Sequence, residues 1–511
     1  MRERGRRRWA SAAAWLALTL LTATGCDVRS GDRAEPTAAP MPAPTGSVAH
    51  VCAAPAAGPA RAPAGVVTVD PAVVDDLAVK TLDSPPHTTF WLRPGTHTLK
   101  SGPHGQVLPK EGDVYIGAPG AVLDGRTVNQ IAFGGSAENV TIRHLTVQHF
   151  AAPHDEGVVN HDSADGWVIE HTTVQDNSGG GLMVGARQQV RDNCLRRNGQ
   201  YGINGYKGTG AVTGLVVEGN EITGNNTDDW ERRQRGCGCS GGAKFWAVNG
   251  ADVQGNWVHD NRGAGVWADT DDNDFLIENN VIEDNDGPAL IYEISYNAVI
   301  RDNMIRRNNL VQGRKYAARG DDFPYGTVYL SEAGGEPRVE ARTDRIEVYG
   351  NELEDNWSGI TLWEDADRFC NSPANTSSDY CTLLVRDVHR CARPAIATAP
   401  LLSDCRWKTQ RVDIHDNRFV QSATTAGCAG LCGRMAVLSD HGTFPDWSPY
   451  KGSRVAEAIT FRQRNRWHDN VYIGPWSFVA HDRGRVLDFA QWQSAPYRQD
   501  TNSTLRPQAG G

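Results

Sequence analysis

The words Val253-Gln-Gly-Asn256, Ile277-Glu-Asn-Asn280 and Ile300-Arg-Asp-Asn303 decide the fold. Each ends in Asn, each is followed five residues later by a second Asn (Asn261, Asn285, Asn308), and each has an apolar residue two places after the first (Val258, Ile282, Ile305). The frame recurs at Val190-Arg-Asp-Asn193 with Asn198, Val217-Glu-Gly-Asn220 with Asn225, and Val348-Tyr-Gly-Asn351 with Asn356, while Asn465 and Asn470 make a seventh pair. For 29 Asn in 511 residues chance would place about 1.6 such pairs, so the period is real. Degenerate copies precede it: Val168-Ile169 followed by Thr172 and Asn177, and Val140-Thr-Ile142 followed by Leu145 and Phe150.

Uninterrupted units lie 22 to 27 residues apart, too short for a propeller blade, and carry no helical periodicity. Short strands of three to five residues separated by turns fit. In such a coil alternate side chains fill a central column and each turn of chain pairs with the last. Longer gaps, of 36 residues between Val217 and Val253, 48 between Ile300 and Val348 and 66 between Val348 and Ile414, mean loops inserted between strands. These inserts are Asn226–Ser240, Val311–Tyr325 and about 366–408. The recurrent Asn is read as structure: at the same corner of every rung it can bond the backbone above and below, and it tolerates a left-handed corner.

With this repeat the chain resembles right-handed parallel β-helix proteins of the pectate-lyase-like superfamily. The resemblance covers roughly residues 88–480 and implies an all-β solenoid of about a dozen rungs built from three parallel sheets. The domain reading is a signal peptide over 1–25, a disordered linker over 26–64, the β-helix over 65–480, and a tail over 481–511 packing on the solenoid.

The ends point outside the cell. Arg2, Arg4, Arg6, Arg7 and Arg8 precede the apolar run Trp9 to Ala23, which reads as an export signal too short to span a membrane. Ala23-Thr-Gly-Cys26 resembles the bacterial lipoprotein cleavage box, which implies lipidation of Cys26 and a membrane anchor through that lipid alone. Residues 27 to about 65, rich in Ala, Pro and Thr, lack the apolar pattern that folding needs and suit a tether. Setting Cys26 aside, ten of the 11 Cys remain, and disulfides are the default for an exported chain, with connectivity not readable from spacing. A formal charge of −10 argues against a nucleic-acid partner, and the chain is expected to act as a monomer.

Solenoid function tends to lie on one outward sheet and its bordering loops. Aligning Ala243, Val266 and Leu290 as inward residues sets Lys244 beside Trp267 and puts Trp246, Asp269 and Glu293 in one outward file. Glu332 and Glu364 follow on later rungs, shifted by one position, and Tyr292 lies within the same words. Carboxylates, a Lys and aromatic planes on one face are what a sugar groove requires. The expected catalytic residues are Lys244, Asp269 and Glu293, with Trp246, Trp267, Tyr292, Glu332 and Glu364 holding substrate. In β-helix lyases, the resemblance implies, a Lys or Arg removes the proton α to a uronate carboxyl while Ca²⁺ or another cation neutralises the enolate. Asp269-Thr-Asp-Asp-Asn-Asp274 offers a loop for Ca²⁺ through Asp269, Asp271, Asp272 and Asp274, although it fails the EF-hand pattern. Paired carboxylates could instead hydrolyse a glycosidic bond. The words Gly242-Ala-Lys-Phe245, Trp267-Ala-Asp-Thr270 and Tyr292-Glu-Ile-Ser-Tyr296 resemble a group of actinobacterial secreted β-helix proteins, a resemblance that implies no settled reaction. The expectation is an extracellular, lipid-anchored protein that binds and cleaves an acidic or plant-type polysaccharide; the rival is a noncatalytic carbohydrate-binding or surface-structural β-helix.

Overall fold

The computed structural model describes residues 48, 50–207, 210–234, 237–320, 326–364, 388–391, 398–422, 434–437, 455–482 and 484–507. Cys26, the leader and most of the 366–408 insert lie outside the described residues. Among those described, the chain forms three stacked sheets of 13, 13 and 11 strands, here the first, second and third, and every strand pair is parallel except the last of the third sheet. One rung shows the plan: Asn273–Glu278 in the first sheet, Val281–Glu283 in the second and Leu290–Glu293 in the third. The first sheet starts at Val67–Val69 and ends at Arg466–His468.

Strands this short have little stability alone, and alternation supplies the rest. In Asn273–Glu278 the odd residues Phe275 and Ile277 are fully buried, and Ile277 registers with Val253 below and Ile300 above, so like residues stack in an apolar column. Ile282 stacks between Val258 and Ile305 and is fully buried. The column is plugged at both ends. A helix at Asp76–Asp83 buries Leu77 and Thr81 at the start, and a helix at Phe489–Gln493, with an Asp488 capping box, seats Trp492 against Phe478 and Trp467 at the finish.

The Asn pairs form two continuous ladders. The first runs through Asn193, Asn220, Asn256, Asn280, Asn303, Asn351, Asn417 and Asn470, each side-chain oxygen from Asn220 onward accepting from the backbone N–H and the amide of the Asn in the preceding rung, while the Asn193 oxygen accepts from Thr172 N. The second runs through Asn177, Asn198, Asn225, Asn261, Asn285, Asn308 and Asn356. Two details differ from expectation. The left-handed residue is the one before each ladder Asn, as at Gly255 (φ 64), Asn279 (φ 54) and Asp302 (φ 55), because the ladder Asn must aim its amide into the stack. Asn470 belongs to the first ladder, whereas Asn465 sits elsewhere, bonding Thr409 and Ile459 carbonyls.

Part of the expected disordered linker is instead a strap. Cys52 is disulfide-bonded to Cys194, a separation of 142 residues, and its N–H donates to Glu221 Oε2 at 2.9 Å. His50 meets Trp257 edge-on with centroids 4.3 Å apart, His144 bonds the Ala56 carbonyl, and Trp91 Nε1 donates to the Pro59 carbonyl at 3.1 Å. Composition alone hides such a segment, since outward groups of the rungs and one disulfide, not its own apolar pattern, hold it. The tail likewise does more than pack: Thr504–Arg506 is the last strand of the second sheet. Among the described residues, two further disulfides join Cys237 to Cys239 and Cys391 to Cys405. No helix among the described residues is long and apolar enough to cross a membrane.

Candidate functional site

The third sheet carries the expected register. Ala243 pairs with Val266, Val266 with Leu290, Leu290 with Val328 and Val328 with Ile360, all inward and buried. The next position faces out as Lys244, Trp267, Ile291, Tyr329 and Thr361. Two residues past each position of that outward file the strand faces out again. Here Trp246, Asp269 and Glu293 lie one residue beyond the paired Phe245, Ala268 and Tyr292, and Glu293 registers with Ser331 and Ser331 with Trp363. Trp246, Trp267, Asp269, Glu293 and Trp363 are all half-buried.

Lys244 is fully engaged. Its Nζ lies 2.9 Å from Asp269 Oδ2, donates to the Gly238 carbonyl, and sits 4.2 Å from the centre of the Trp267 ring. Thr270 Oγ1 donates to the other Asp269 oxygen at 3.1 Å. Only 12% of the Lys244 side chain and 14% of the Asp269 side chain are exposed, so their attraction is weakly screened. Gly238, from the Asn226–Ser240 insert, lies against the Trp267 ring: a Cβ there would come 2.7 Å from Trp267 Cη2, and its φ of +57 also favours glycine. Gln200 Nε2 ties the same insert down through the Cys239 carbonyl at 2.9 Å, and Trp230 lies tilted against His154 with centroids 4.1 Å apart.

Aromatic groups complete the face. Trp246 meets Tyr206 edge-on at 6.3 Å, Tyr329 stacks with Trp363 at 6.1 Å, and Ile291 with Tyr329 forms an outward apolar patch against which Trp267 and Trp363 pack.

Three expected site residues stand away from this surface. Tyr292 is fully buried in the column, its hydroxyl donating to the Tyr296 carbonyl and its ring edge-on to Phe275, because it shares the inward file of Phe245 and Leu330. Glu332, 1% exposed, occupies the left-handed corner (φ 46) next to Ser331. Glu364 is fully buried and accepts from Thr409 N at 2.9 Å and Gln463 Nε2 at 2.8 Å beside Arg406. The shift by one position is the reason: the true outward neighbours are Ser331 and Trp363. Tyr206, Tyr329 and Trp363 carry no charge to mark them in the sequence, but the register of Trp267 carried onward reaches Tyr329.

The acidic turn does not make a calcium cage. Asp269 faces Lys244, Asp274 accepts from Arg342 N and Nε at 2.8 and 2.9 Å, and Asp272 points into the corner, where its Oδ1 accepts from Val248 N at 2.8 Å. Asp272 is fully buried and Asp271 half-buried, and each has one oxygen without a hydrogen-bond partner among the described residues. Burial pushes the Asp271 carboxyl up to about 8. Burial, with Asp269 and Asp271 adding, pushes Asp272 well up despite the Val248 N–H. Asp269, Asp272 and Asp274 each serve a different partner and do not together supply the six to eight oxygens that Ca²⁺ takes, and no group of three or more His, Cys, Asp or Glu among the described residues is gathered to hold a metal ion.

Residues 156–333 match the family described as the right handed beta helix region. The fold is a right-handed parallel β-helix. No curated protein matches the sequence. Among solved structures, the Azotobacter vinelandii mannuronan C-5 epimerase AlgE4 A-module is similar at 13% identity and TM-score 0.39, over 75% of this chain and 96% of that one. The periplasmic alginate epimerase AlgG is similar at 12% and 0.37, over 74% and 79%. XylC, in a complex with xylose, is similar at 11% and 0.40, over 74% and 55%. At these identities the likeness is one of fold.

Proposed function

We propose that this is an exported, lipid-anchored β-helix protein that binds a polysaccharide on the outward face of its third sheet. The observation that carries the reading is the alignment of Trp246, Trp267, Tyr329 and Trp363 with Asp269 and Glu293 on that face. Aromatic planes pack against the C–H faces of sugar rings, and carboxylates accept from their hydroxyls. The leader with its five early arginines and the Ala23-Thr-Gly-Cys26 box support export and attachment through Cys26.

Cleavage of the bound chain is the finer part of the proposal. An ammonium that donates to Asp269 and to the Gly238 carbonyl has no lone pair with which to take a proton, so Lys244 serves to position Asp269. Asp269 and Glu293, neighbours in one file, are the acid and base candidates for hydrolysis. The test incubates purified full-length protein in detergent with a panel of polysaccharides, following binding, reducing ends and the ultraviolet absorbance of unsaturated products. New reducing ends without that absorbance support hydrolysis, the absorbance would reassign the protein as a lyase, and retention without either product marks a binding protein. Absence of binding to every polymer would end the proposal.

A further inference from the structure

We infer that the junction between the Asn226–Ser240 insert and the loop before Gly157–Val159, the first strand of the third sheet, is a subsite for one sugar hydroxyl, held between His154 Nε2 and Trp230 Nε1. The inference rests on the polysaccharide reading above and adds two contact residues to it. The two rings come from separate parts of the chain and lie with centroids 4.1 Å apart. His154 Nε2 and Trp230 Nε1 are both buried, and neither has a hydrogen-bond partner. Buried polar atoms are normally paired, because a group taken out of water without a partner costs free energy, so two on neighbouring rings point to one ligand atom that serves both. The chemistry of that atom follows from the pair. Asp155 Oδ2 lies 2.9 Å from His154 Nδ1, and a carboxylate only accepts, so Nδ1 carries the proton and Nε2 of the neutral ring is an acceptor. The indole N–H only donates. A hydroxyl does both, donating to Nε2 and accepting from the indole on the same oxygen, with two bonds of about 3 Å. A carboxylate oxygen would satisfy the indole and oppose the imidazole lone pair.

Both rings are fixed from behind. Asp155 Oδ1 accepts from Gln200 Nε2 at 2.7 Å, Asp155 N donates to Gln200 Oε1 at 2.7 Å, and the Asp155 carbonyl accepts from Asn204 Nδ2 at 2.9 Å. Trp230 opens the short helix Trp230–Arg233, where its backbone N–H donates to Asn226 Oδ1 at 3.0 Å, and Asn226 Nδ2 donates to the Arg262 carbonyl at 2.6 Å. Gln200 links the two sides, since its Nε2 also donates to the Cys239 carbonyl of the insert. The subsite adjoins the aromatic face: Asn204 registers with Lys244, and Lys244 with Trp267, in one outward file. Trp267 Nε1, on the ring that lies against Gly238 of the same insert, is a further buried N–H without an acceptor, so unpaired groups lie at both edges of the insert.

The experiment measures binding of the full-length protein in detergent to a xylan, a β-glucan and a galactomannan, for wild type, His154→Phe, Trp230→Phe and the double variant. Each substitution keeps an aromatic ring and removes the bonding nitrogen. The polymer that wild type binds most tightly is expected to bind each single variant about threefold to tenfold more weakly, the effect of one lost hydrogen bond. The double variant is expected to lose clearly less than the product of the two single losses, because both bonds go to one hydroxyl. Circular dichroism melts equal to wild type show that the variants fold, and two rings on separate segments keep the test open if one of them does not. Wild-type affinity in both single variants would overturn the inference, leave the polysaccharide reading standing and assign the junction to water only. Losses that multiply in full would overturn the shared hydroxyl. Failure of all three polymers to bind wild type would overturn both the inference and the reading beneath it.

Discussion

Removing one rung of the Asn ladder measures what the ladder contributes. In Asn280→Ala four hydrogen bonds disappear: Nδ2 to the Val253 carbonyl at 2.9 Å and to Asn303 Oδ1 at 3.0 Å, and from Asn256 N at 2.9 Å and Asn256 Nδ2 at 3.0 Å to Oδ1. Asn256 and Asn280 are 0% and 1% exposed, so water cannot replace the lost partners without opening the corner. The Asn256 N–H stranded without an acceptor costs about 1–3 kcal/mol, and the amide bonds to Val253 and Asn303 are worth about 1 kcal/mol each. Asn303 Oδ1 still accepts from Asn280 N at 3.0 Å, which limits the total to about 2–4 kcal/mol. Guanidinium unfolding followed by circular dichroism, compared at equal slope, reads the change. Asn280→Asp, which sets a buried carboxylate oxygen against the Val253 carbonyl and Asn303 Oδ1, is expected to cost at least as much as Ala at neutral pH. A loss below about 0.5 kcal/mol for the Ala variant, the range of an ordinary surface change, would refute the idea that the ladder carries the corner.

Three other outcomes are expected. Because burial raises Asp271 from 3.8 to about 8, the folded state holds the proton more tightly than the unfolded one; stability from this group is complete below pH 3.8 and is lost as pH rises towards 8, so Asp271→Asn should flatten that decline in melts across the range. Replacing both Cys52 and Cys194 with Ala opens a 142-residue closure and is expected to cost about 2–4 kcal/mol, with limited proteolysis cutting first within residues 50–66; a melt and digestion pattern equal to wild type would contradict the strap. Ile282→Ala, at a fully buried position between Val258 and Ile305, is expected to cost about 2–5 kcal/mol by chemical denaturation, and a change under about 1 kcal/mol would mean the column repacks.

The fold was legible because each rung repeats the same physical solution, an apolar inward residue two places after a corner Asn, and because Ala243, Val266 and Leu290 could be aligned by alternation alone. The Lys244–Trp267–Asp269 contacts followed from that alignment. Legibility failed where the frame slipped by one residue: Glu332 takes a left-handed corner and Glu364 enters the interior, so their charge gave no hint of their direction. Tyr292 lies within a site word, yet its parity is that of Phe245, so its ring turns inward. The acidic turn read as a calcium loop from composition, yet backbone geometry sends Asp272 inward and Asp274 to Arg342, and sequence spacing carries no information on those directions. The strap over 50–64 was hidden for a different reason: it is held by partners 88 and 142 residues away, at His144 and Cys194.

A crystal structure of the protein with a bound oligosaccharide locates the sugar. The expectation is sugar density on the outward face of the third sheet, with rings against Trp267 and Trp363 and hydroxyls on Asp269 or Glu293. Sugar density confined to the first or second sheet, with the third-sheet face bare, would contradict it.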